Sequence, residues 1–243
     1  MSEEIAANKR RVTVLVVGEV VVVSVVLGVP AALLLGWWAL VVVVVLAVAA
    51  AVLASRQATL LAIRRSGGEP ADPLRHARLH NLTEGLCGAA GVPKPALYVL
   101  ADDGPNALAC GRSPRTAAVV VTQGLLDQLS RIELEGVLAH ELSHIKSFDI
   151  LPATVAVVLA APLGPRLVGW VVRPGREALA DAQGVSITRY PPGLLAALEK
   201  IDVASVVMRP RSRTIAHLWL VPPETGPAQR PSLDERIEAL KEL

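Results

Sequence analysis

Charged and aromatic side chains are both scarce in this sequence of 243 residues. Charged residues make up 19% and aromatic residues 3%, whereas hydrophobic residues make up 52%. A typical soluble domain carries about 25% charged residues, and a disordered chain carries more charge and fewer apolar side chains. The composition therefore excludes a disordered chain.

Cysteine and a surplus of one charge sign are also missing. The two cysteines, Cys87 and Cys110, are too few for a disulfide framework and fit a reducing compartment. The 24 basic residues nearly match the 22 acidic ones. A nucleic-acid-binding protein would show a basic surplus, so no nucleic-acid partner is expected.

The hydrophobic excess is concentrated between Val12 and Ala54, where Glu19 is the only charged residue. As one straight helix this stretch would be about 65 Å long, roughly twice the hydrocarbon core of a bilayer. It must therefore fold back, and the natural break lies between Gly28 and Trp38. We expect a two-helix transmembrane hairpin with helices over Val12–Leu35 and Trp37–Ala54. A signal peptide is the alternative interpretation, but its apolar core is much shorter.

The few charges in and around the hairpin predict its orientation. The connection between the helices carries no basic residue. Basic residues flank both outer ends of the hairpin: Lys9, Arg10, Arg11, Arg56, Arg64 and Arg65. Both ends should therefore lie in the cytoplasm. This predicts a multi-pass protein of the cell (inner or plasma) membrane, with a cytoplasmic N-terminus over 1–11, a hairpin over 12–54 and a cytoplasmic domain over 55–243. Glu19 is interpreted as a protonated or interhelical hydrogen-bonded group rather than a functional carboxylate.

Periodicity and turn signals predict an α+β fold, in which a mainly helical domain with a small β-sheet follows the hairpin. The expected helices are Asp72–Ala90, Leu125–Leu129, Ser130–Lys146, Arg176–Thr188, Leu194–Val207 and Ser232–Leu243. The expected strands are Ala96–Leu100, Asn106–Cys110 and Ala117–Thr122, with Ala216–Val221 extended as well.

The strongest chemical signal is the run His140-Glu141-Leu142-Ser143-His144. Ser130 and Glu133 form a capping-box pair, which indicates that a helix begins there and carries the run. Residues four apart lie on one helix face, so both imidazoles can bind one metal ion, and zinc suits such ligands. Glu141 can take a proton from a water molecule that zinc activates. The run predicts one catalytic zinc ion with Glu141 as the base.

A catalytic zinc ion needs a third protein ligand. The sequence leaves four candidates open: His217, Asp149, Glu177 and Asp181. Glu177 and Asp181 lie four apart on one expected helix, so one could bind zinc while the other orients a ligand histidine. Asp149 is more simply interpreted as a polar turn residue.

The sequence of residues 134–146, together with Asp149, resembles the active-site helix of the HtpX-like and CAAX prenyl protease superfamily of membrane zinc metallopeptidases. Four other segments resemble further blocks of that family: Pro105–Gly111, Arg176–Asp181, Ala216–Leu218 and Pro231–Ile237. The resemblance covers about residues 72–243 and the amino-terminal hairpin. It implies a gluzincin-type metallopeptidase domain with HExxH and ExxxD motifs.

The resemblance also implies roles for individual residues. Glu177 would be the third zinc ligand, and Asp181 would be the carboxylate that orients a ligand histidine. The activity implied is that of a membrane-anchored endopeptidase. Its partners would be the lipid bilayer and protein or peptide substrates, among them misfolded or damaged membrane proteins. Ala117–Thr122 would be an edge strand that pairs with an extended substrate.

Three further residues have two interpretations each within this framework. Asn106 either contacts the substrate backbone or shapes a turn. His217 either stabilises the oxyanion of the transition state or caps a strand. Arg236 either holds the acidic residues of the site or pairs with a neighbouring glutamate on the surface.

The sequence departs from the family in two places. Two further spans typically lie between the zinc motifs, but only 32 residues separate His144 from Glu177 here. The apolar segment Ile150–Val172 must therefore enter and leave the same face, as a re-entrant or interfacial hairpin or packed on the domain. Arg230 stands where the C-terminal block of the family begins with histidine. Another donor, or Arg230 itself, is then expected to assist the transition state.

A catalytically weak or inactive membrane-bound scaffold is the alternative function. The shortened segment and Arg230 favour it, whereas the intact Glu141 argues against it because loss of the base is the simplest route to such a protein. An intramembrane protease is disfavoured because the motif helix carries several charges: Arg131, Glu133, Glu135 and Lys146.

Overall fold

A computed structural model describes residues 2–173, 175–204, 206–209, 212–222 and 231–243. Within these ranges the chain is mostly helical and contains a four-stranded sheet. The expected α+β fold is therefore confirmed. Arg230 lies outside the described residues, so the structure does not bear on its expected role.

The N-terminal hairpin consists of helices that are long and apolar enough to cross a membrane. The first arm is formed by α1 (Ser2–Val23), a π-helical turn (Ser24–Gly28) and α2 (Val29–Leu35), and the second by α3 (Trp37–Ser66). The chain reverses at Gly36, whose φ of 98° favours glycine. The first arm continues through Gly28, where an added Cβ would lie 2.6 Å from a Leu40 side-chain carbon. Glycine there lets the two arms pack closely.

The sheet has four strands: β1 (Glu69–Pro70), β2 (Ala96–Leu100), β3 (Ala107–Cys110) and β4 (Ala118–Thr122). Their order in the sheet is β1-β2-β4-β3, which differs from one expectation. The prediction that Ala117–Thr122 forms an edge strand is wrong. β4 pairs in parallel with β2 and antiparallel with β3, and all of its residues are buried. A continuous β-branched run suits a strand that is covered on both faces.

The remaining helices pack on the sheet or on one another. They are α4 (Ala77–Ala90), α5 (Gln123–Gln128), α6 (Arg131–Lys146), α7 (Ile150–Leu159), α8 (Pro165–Val171), α9 (Arg176–Thr188), α10 (Pro191–Asp202) and α11 (Leu233–Lys241). Alternate residues of β3 point to opposite sides of the sheet. Ala107 and Ala109 join an apolar cluster with α6, whereas Leu108 and Cys110 join a cluster formed by the hairpin and α7.

Several expected element boundaries shift: α1 begins at Ser2 instead of Val12, and α3 ends at Ser66 instead of Ala54. α4 begins at Ala77 because the Asp72 carboxylate accepts hydrogen bonds from two backbone amides in the preceding turn. α10 begins at Pro191, since proline is well suited to the first turn of a helix. Arg213–Leu218 forms a 3₁₀ helix instead of an extended segment, and Trp219 directly after it has an extended backbone.

The apolar segment Ile150–Val172 packs on the protein. α7 meets α6 at a bend of 78° and is largely buried against the hairpin and the sheet. A short turn (Ala161–Leu163) leads back into α8, which lies against α7 and α1. Leu163 and Trp170, which are 72% and 56% exposed, are the large apolar side chains that this segment leaves uncovered.

Candidate metal centre

Helix α6 carries the histidine pair, and its start is determined locally. The Glu133 amide donates to the Ser130 hydroxyl, and the Glu133 carboxylate accepts from the Ser130 amide at 2.7 Å. This reciprocal pair satisfies two donors at the helix start, as the sequence indicates. From there the helical repeat brings His140 and His144 to one face, where both are buried.

Helix α9 brings a carboxylate to the two histidines. It approaches α6 closely at Gly184, where an added Cβ would lie 3.0 Å from the His140 amide nitrogen. The Nε2 atoms of His140 and His144 are 3.2 Å apart. Glu177 Oε2 lies 3.5 Å from His140 Nε2, and Glu177 Oε1 lies 3.8 Å from His144 Nε2. Among the described residues, His140, His144 and Glu177 are the one group of histidine, cysteine or acidic side chains close enough together to hold a metal ion.

Two buried carboxylates orient the histidine rings. Asp181 Oδ1 lies 2.8 Å from His140 Nδ1, and Asp149 Oδ2 lies 3.0 Å from His144 Nδ1. Because a carboxylate accepts, each Nδ1 carries the proton and each Nε2 turns its lone pair toward the other. Two lone pairs at this distance repel each other unless a cation lies between them. The donor set therefore fits a metal ion.

The ionisation of the histidines agrees with a cation between them. Burial disfavours the charged form of His140, but the charge and hydrogen bond of Asp181 outweigh it and raise the pKa to about 9. Burial, followed by the charge of Arg176, lowers the pKa of His144 to about 4. A proton carried by His140 Nε2 and accepted by His144 Nε2 would remove the repulsion between the two lone pairs, and a metal ion bound by both atoms would remove it in the same way.

Glu141 lies next to the first histidine and is 1% exposed. Burial raises the pKa of its carboxyl group to about 7, and the nearby Glu177 contributes in the same direction. A group with a pKa near neutrality can both accept and release a proton during a reaction. Glu141 therefore has the properties of a general base.

Two arginines surround the carboxylates of α9. Arg236 donates from Nε and Nη2 to Asp181 at 2.8 and 2.7 Å, and its Nη1 lies 3.6 Å from Glu177 Oε2. Burial would raise the pKa of Asp181, but the Arg236 hydrogen bonds outweigh it and hold it at about 2. Arg176 Nε donates to Glu177 Oε1 at 2.9 Å. Of the two interpretations of Arg236, this geometry supports contact with the acidic residues.

Sequence reasoning overlooked Arg176 and underestimated Asp149. A basic residue at the first position of a helix opposes the helix dipole, so its presence there was a signal that it serves another purpose. Asp149 was interpreted as a turn residue, but its carboxylate reaches His144 because the chain turns sharply at Phe148. Of the four candidates for the third ligand, Glu177 is the one grouped with both histidines.

Asn106 and His217 both hydrogen-bond within the chain. The Asn106 side chain donates to the Val221 carbonyl at 2.7 Å and accepts from the Val221 amide at 3.2 Å. His217 is buried, and its Nε2 lies 2.8 Å from the Ala153 carbonyl. These contacts do not decide whether Asn106 binds the substrate or whether His217 stabilises the transition state.

Two apolar helices, together with two histidines and a glutamate that could hold a metal ion, are features of a membrane-associated metallopeptidase. Residues 73–169 match Peptidase family M48. The chain is 35% identical to a protein named Protease HtpX homolog from Caldanaerobacter subterraneus subsp. tengcongensis, over 78% of this chain and 80% of that protein. It is 36% identical to the protein of the same name from Thermoanaerobacter pseudethanolicus over the same shares, and 34% identical to that from Tropheryma whipplei over 75% and 78%. The chain therefore belongs to the HtpX-like members of Peptidase family M48.

Proposed function

We propose that this protein is a zinc-dependent endopeptidase that is anchored in the cell membrane and hydrolyses peptide bonds on its cytoplasmic side. The observation that carries the proposal is the group of His140, His144 and Glu177, in which a separate buried side chain holds each member. Two imidazoles and one carboxylate form a known ligand set of catalytic zinc. We expect its substrates to be membrane proteins, chiefly misfolded or damaged ones.

Each residue of the site has one task in this mechanism. Zinc in such a site supplies a Lewis acid that activates water and polarises the scissile carbonyl. The Glu141 carboxylate accepts the proton that the attacking water loses, and it delivers a proton to the nitrogen as the C–N bond breaks. Asp181 and Asp149 hold the protons on Nδ1 of the two histidines, which keeps both Nε2 atoms available.

We also propose the topology predicted from the flanking basic residues. Contacts at both ends of the hairpin support it. Asn8 near the start of α1 hydrogen-bonds the Ser147 carbonyl, and Arg65 near the end of α3 hydrogen-bonds the Val157 carbonyl and the Thr214 hydroxyl. Both ends thus lie against the catalytic domain, as a hairpin requires. In this proposal 1–11 and 55–243 are cytoplasmic and 12–54 spans the membrane.

The segment 150–172 lies at the membrane surface in this proposal. α8 packs beside α1, the first arm of the hairpin, and leaves Leu163 and Trp170 exposed. Tryptophan favours the membrane–water interface, and Arg166 in the same helix suits the headgroup region. We therefore expect α8 to rest on the bilayer instead of crossing it.

The test compares purified wild type with Glu141→Gln in detergent. We expect one bound zinc ion per chain in both proteins, with casein cleavage by wild type alone. Glu135→Gln is the matched control, because Glu135 lies on the same helix and forms an ion pair with the exposed Arg131. Equal cleavage by wild type and Glu141→Gln would contradict the proposal. A reporter fused after Leu243 that reads as periplasmic would contradict the topology.

An inactive or weakly active scaffold remains the second candidate. The observation in its favour is burial, because none of the three metal-binding side chains is more than 3% exposed. Zinc binding without cleavage by either protein would support the scaffold.

A further inference from the structure

The metal centre is closed to a polypeptide in this conformation. The exposed fractions of His140, Glu141, His144 and Glu177 are 0%, 1%, 3% and 1%. If the proposed peptidase function holds, a substrate has to reach these side chains by a path that something now fills. The neighbouring sheet edge indicates which part of the chain fills it.

β3 is the strand at which an extended substrate can add to the sheet near α6. Its inner side pairs with β4, so only its outer side is available for a further strand. Ala107 and Ala109 of β3 share an apolar cluster with Leu138 and Leu142 of the motif helix. Strand addition recognises the main chain and requires little of the substrate's sequence.

The outer side of β3 is already occupied by the segment Trp219–Val221. Trp219 forms an antiparallel bridge with Leu108, and the Leu220 amide donates to the Ala107 carbonyl at 2.8 Å. The Asn106 side chain binds both main-chain groups of Val221, its carbonyl and its amide. An asparagine amide that pairs with both groups of one residue recognises an extended peptide independently of its sequence.

The other side of this segment faces the metal centre. The Leu220 carbonyl accepts from Arg236 Nη1 at 3.1 Å, and the His217 carbonyl just before the segment accepts from Arg176 Nη2 at 3.4 Å. Both arginines also contact Glu177, as described above. The segment therefore runs between the edge of β3 and the side chains that hold the third metal ligand.

We propose that Trp219–Val221 occupies the binding site of the substrate main chain and leaves β3 when a substrate binds. Asn106 and the Ala107 carbonyl then bind the substrate backbone in its place. The substrate class is an extended apolar stretch, because the internal occupant is itself apolar and an unfolded membrane segment presents the same groups. This inference rests on the proposed peptidase function and adds a closed resting state to it.

A reversible covalent link tests the displacement. In a background with both native cysteines replaced by alanine, Leu108→Cys with Trp219→Cys places two thiols across the antiparallel bridge. We expect oxidation to reduce casein cleavage by about tenfold or more, because the bond removes the open state, and reduction to restore it. The matched control is Glu69→Cys with Val99→Cys, which links paired β1 and β2 residues away from β3 and should leave cleavage unchanged on oxidation.

Full activity of the oxidised Leu108–Trp219 pair would overturn the inference. Since Trp219 is buried and its replacement could prevent folding, a second measurement uses the intact segment. Hydrogen exchange of Glu141→Gln is followed with and without a casein peptide that wild type cleaves. We expect the Leu220 amide to exchange faster when the peptide is bound, while amides of β4 stay protected. Unchanged Leu220 exchange at saturating peptide would overturn the inference, whereas failure of wild type to cleave casein would overturn the peptidase function itself.

Discussion

The side-chain amide of Asn8, near the start of α1, donates a hydrogen bond of 3.3 Å to the carbonyl of Ser147 at the end of the motif helix. The next residue, Phe148, has a φ of 58°, and the Lys9 ammonium lies 5.3 Å from the centre of its ring. Asp149 follows and contacts the second histidine of the motif. The membrane hairpin thus contacts the turn that orients a metal ligand.

Asn8→Ala should weaken zinc binding by about fivefold, which corresponds to the roughly 1 kcal/mol of one lost hydrogen bond. The physical reason is that the turn carrying Asp149 loses its contact with α1. Competition with a chelator measures the zinc affinity. Thr13→Ala is the control, because the exposed Thr13 hydroxyl donates to the Lys9 carbonyl of the same helix. Equal affinities of Asn8→Ala and Thr13→Ala would show that the hairpin does not support the site.

Asp149→Ala should lower zinc affinity by about 10- to 100-fold, the usual effect of removing a carboxylate that orients a ligand histidine. His144 would then be free to rotate or to change its tautomer. The same chelator competition measures the effect. Asp127→Ala, which removes an exposed carboxylate that accepts a hydrogen bond from the Gln123 side chain, should bind zinc like wild type. An Asp149→Ala protein with wild-type affinity would contradict the assignment.

Arg236→Ala should destabilise the fold by about 3–5 kcal/mol, because it removes the arginine partner of the buried Asp181 carboxylate and leaves His140 as its neighbour. Arg236→Lys should recover only part of the loss, since lysine cannot make the two-pronged contact. The thermal midpoint of the detergent-solubilised protein reports the change. Lys241→Ala, which removes an exposed ion pair with Glu238 on the same helix, should leave the midpoint unchanged. A small shift for Arg236→Ala would mean that Asp181 finds another partner.

Gly184→Ala should destabilise the protein by about 1–3 kcal/mol and weaken zinc binding, because the new methyl group would meet the backbone of His140. α9 would have to move away from α6 and take Glu177 with it. Gly85→Ala is the control, and its expected change in stability has the opposite sign. Nothing lies within 4 Å of its added Cβ, so alanine should stabilise α4 by up to about 1 kcal/mol. Thermal midpoints and zinc affinity of the two variants are compared; a stabilising Gly184→Ala would show that the helices are not in close contact.

The features that were predicted correctly depend on neighbours in the chain. The start of α6 needs only Ser130 and Glu133, three residues apart. The reversal near Gly36 follows from the length of the apolar run and a glycine that accepts a positive φ. In both cases a few adjacent residues contain the whole physical cause.

The errors arose where distant segments compete for the same place. Ala117–Thr122 is a strand as expected, but its position in the middle of the sheet depends on β2 and β3, which approach it from different parts of the chain. Ala216–Leu218 was expected to be extended, yet it coils into a 3₁₀ helix packed on α7 and β3. Local β-propensity contains no information about such partners.

The sequence by itself determined that two apolar helices form a hairpin and that two histidines share a face of a capped helix, because periodicity and capping are local. Only the tertiary structure decided which side chains surround those histidines. Asp181 and Arg236 are 55 residues apart, and Asn106 and Val221 are 115 residues apart, yet each pair is in direct contact. Contacts over such separations depend on how the helices and strands pack around one core. That packing buries the metal centre and places Trp219–Val221 along the outer side of β3.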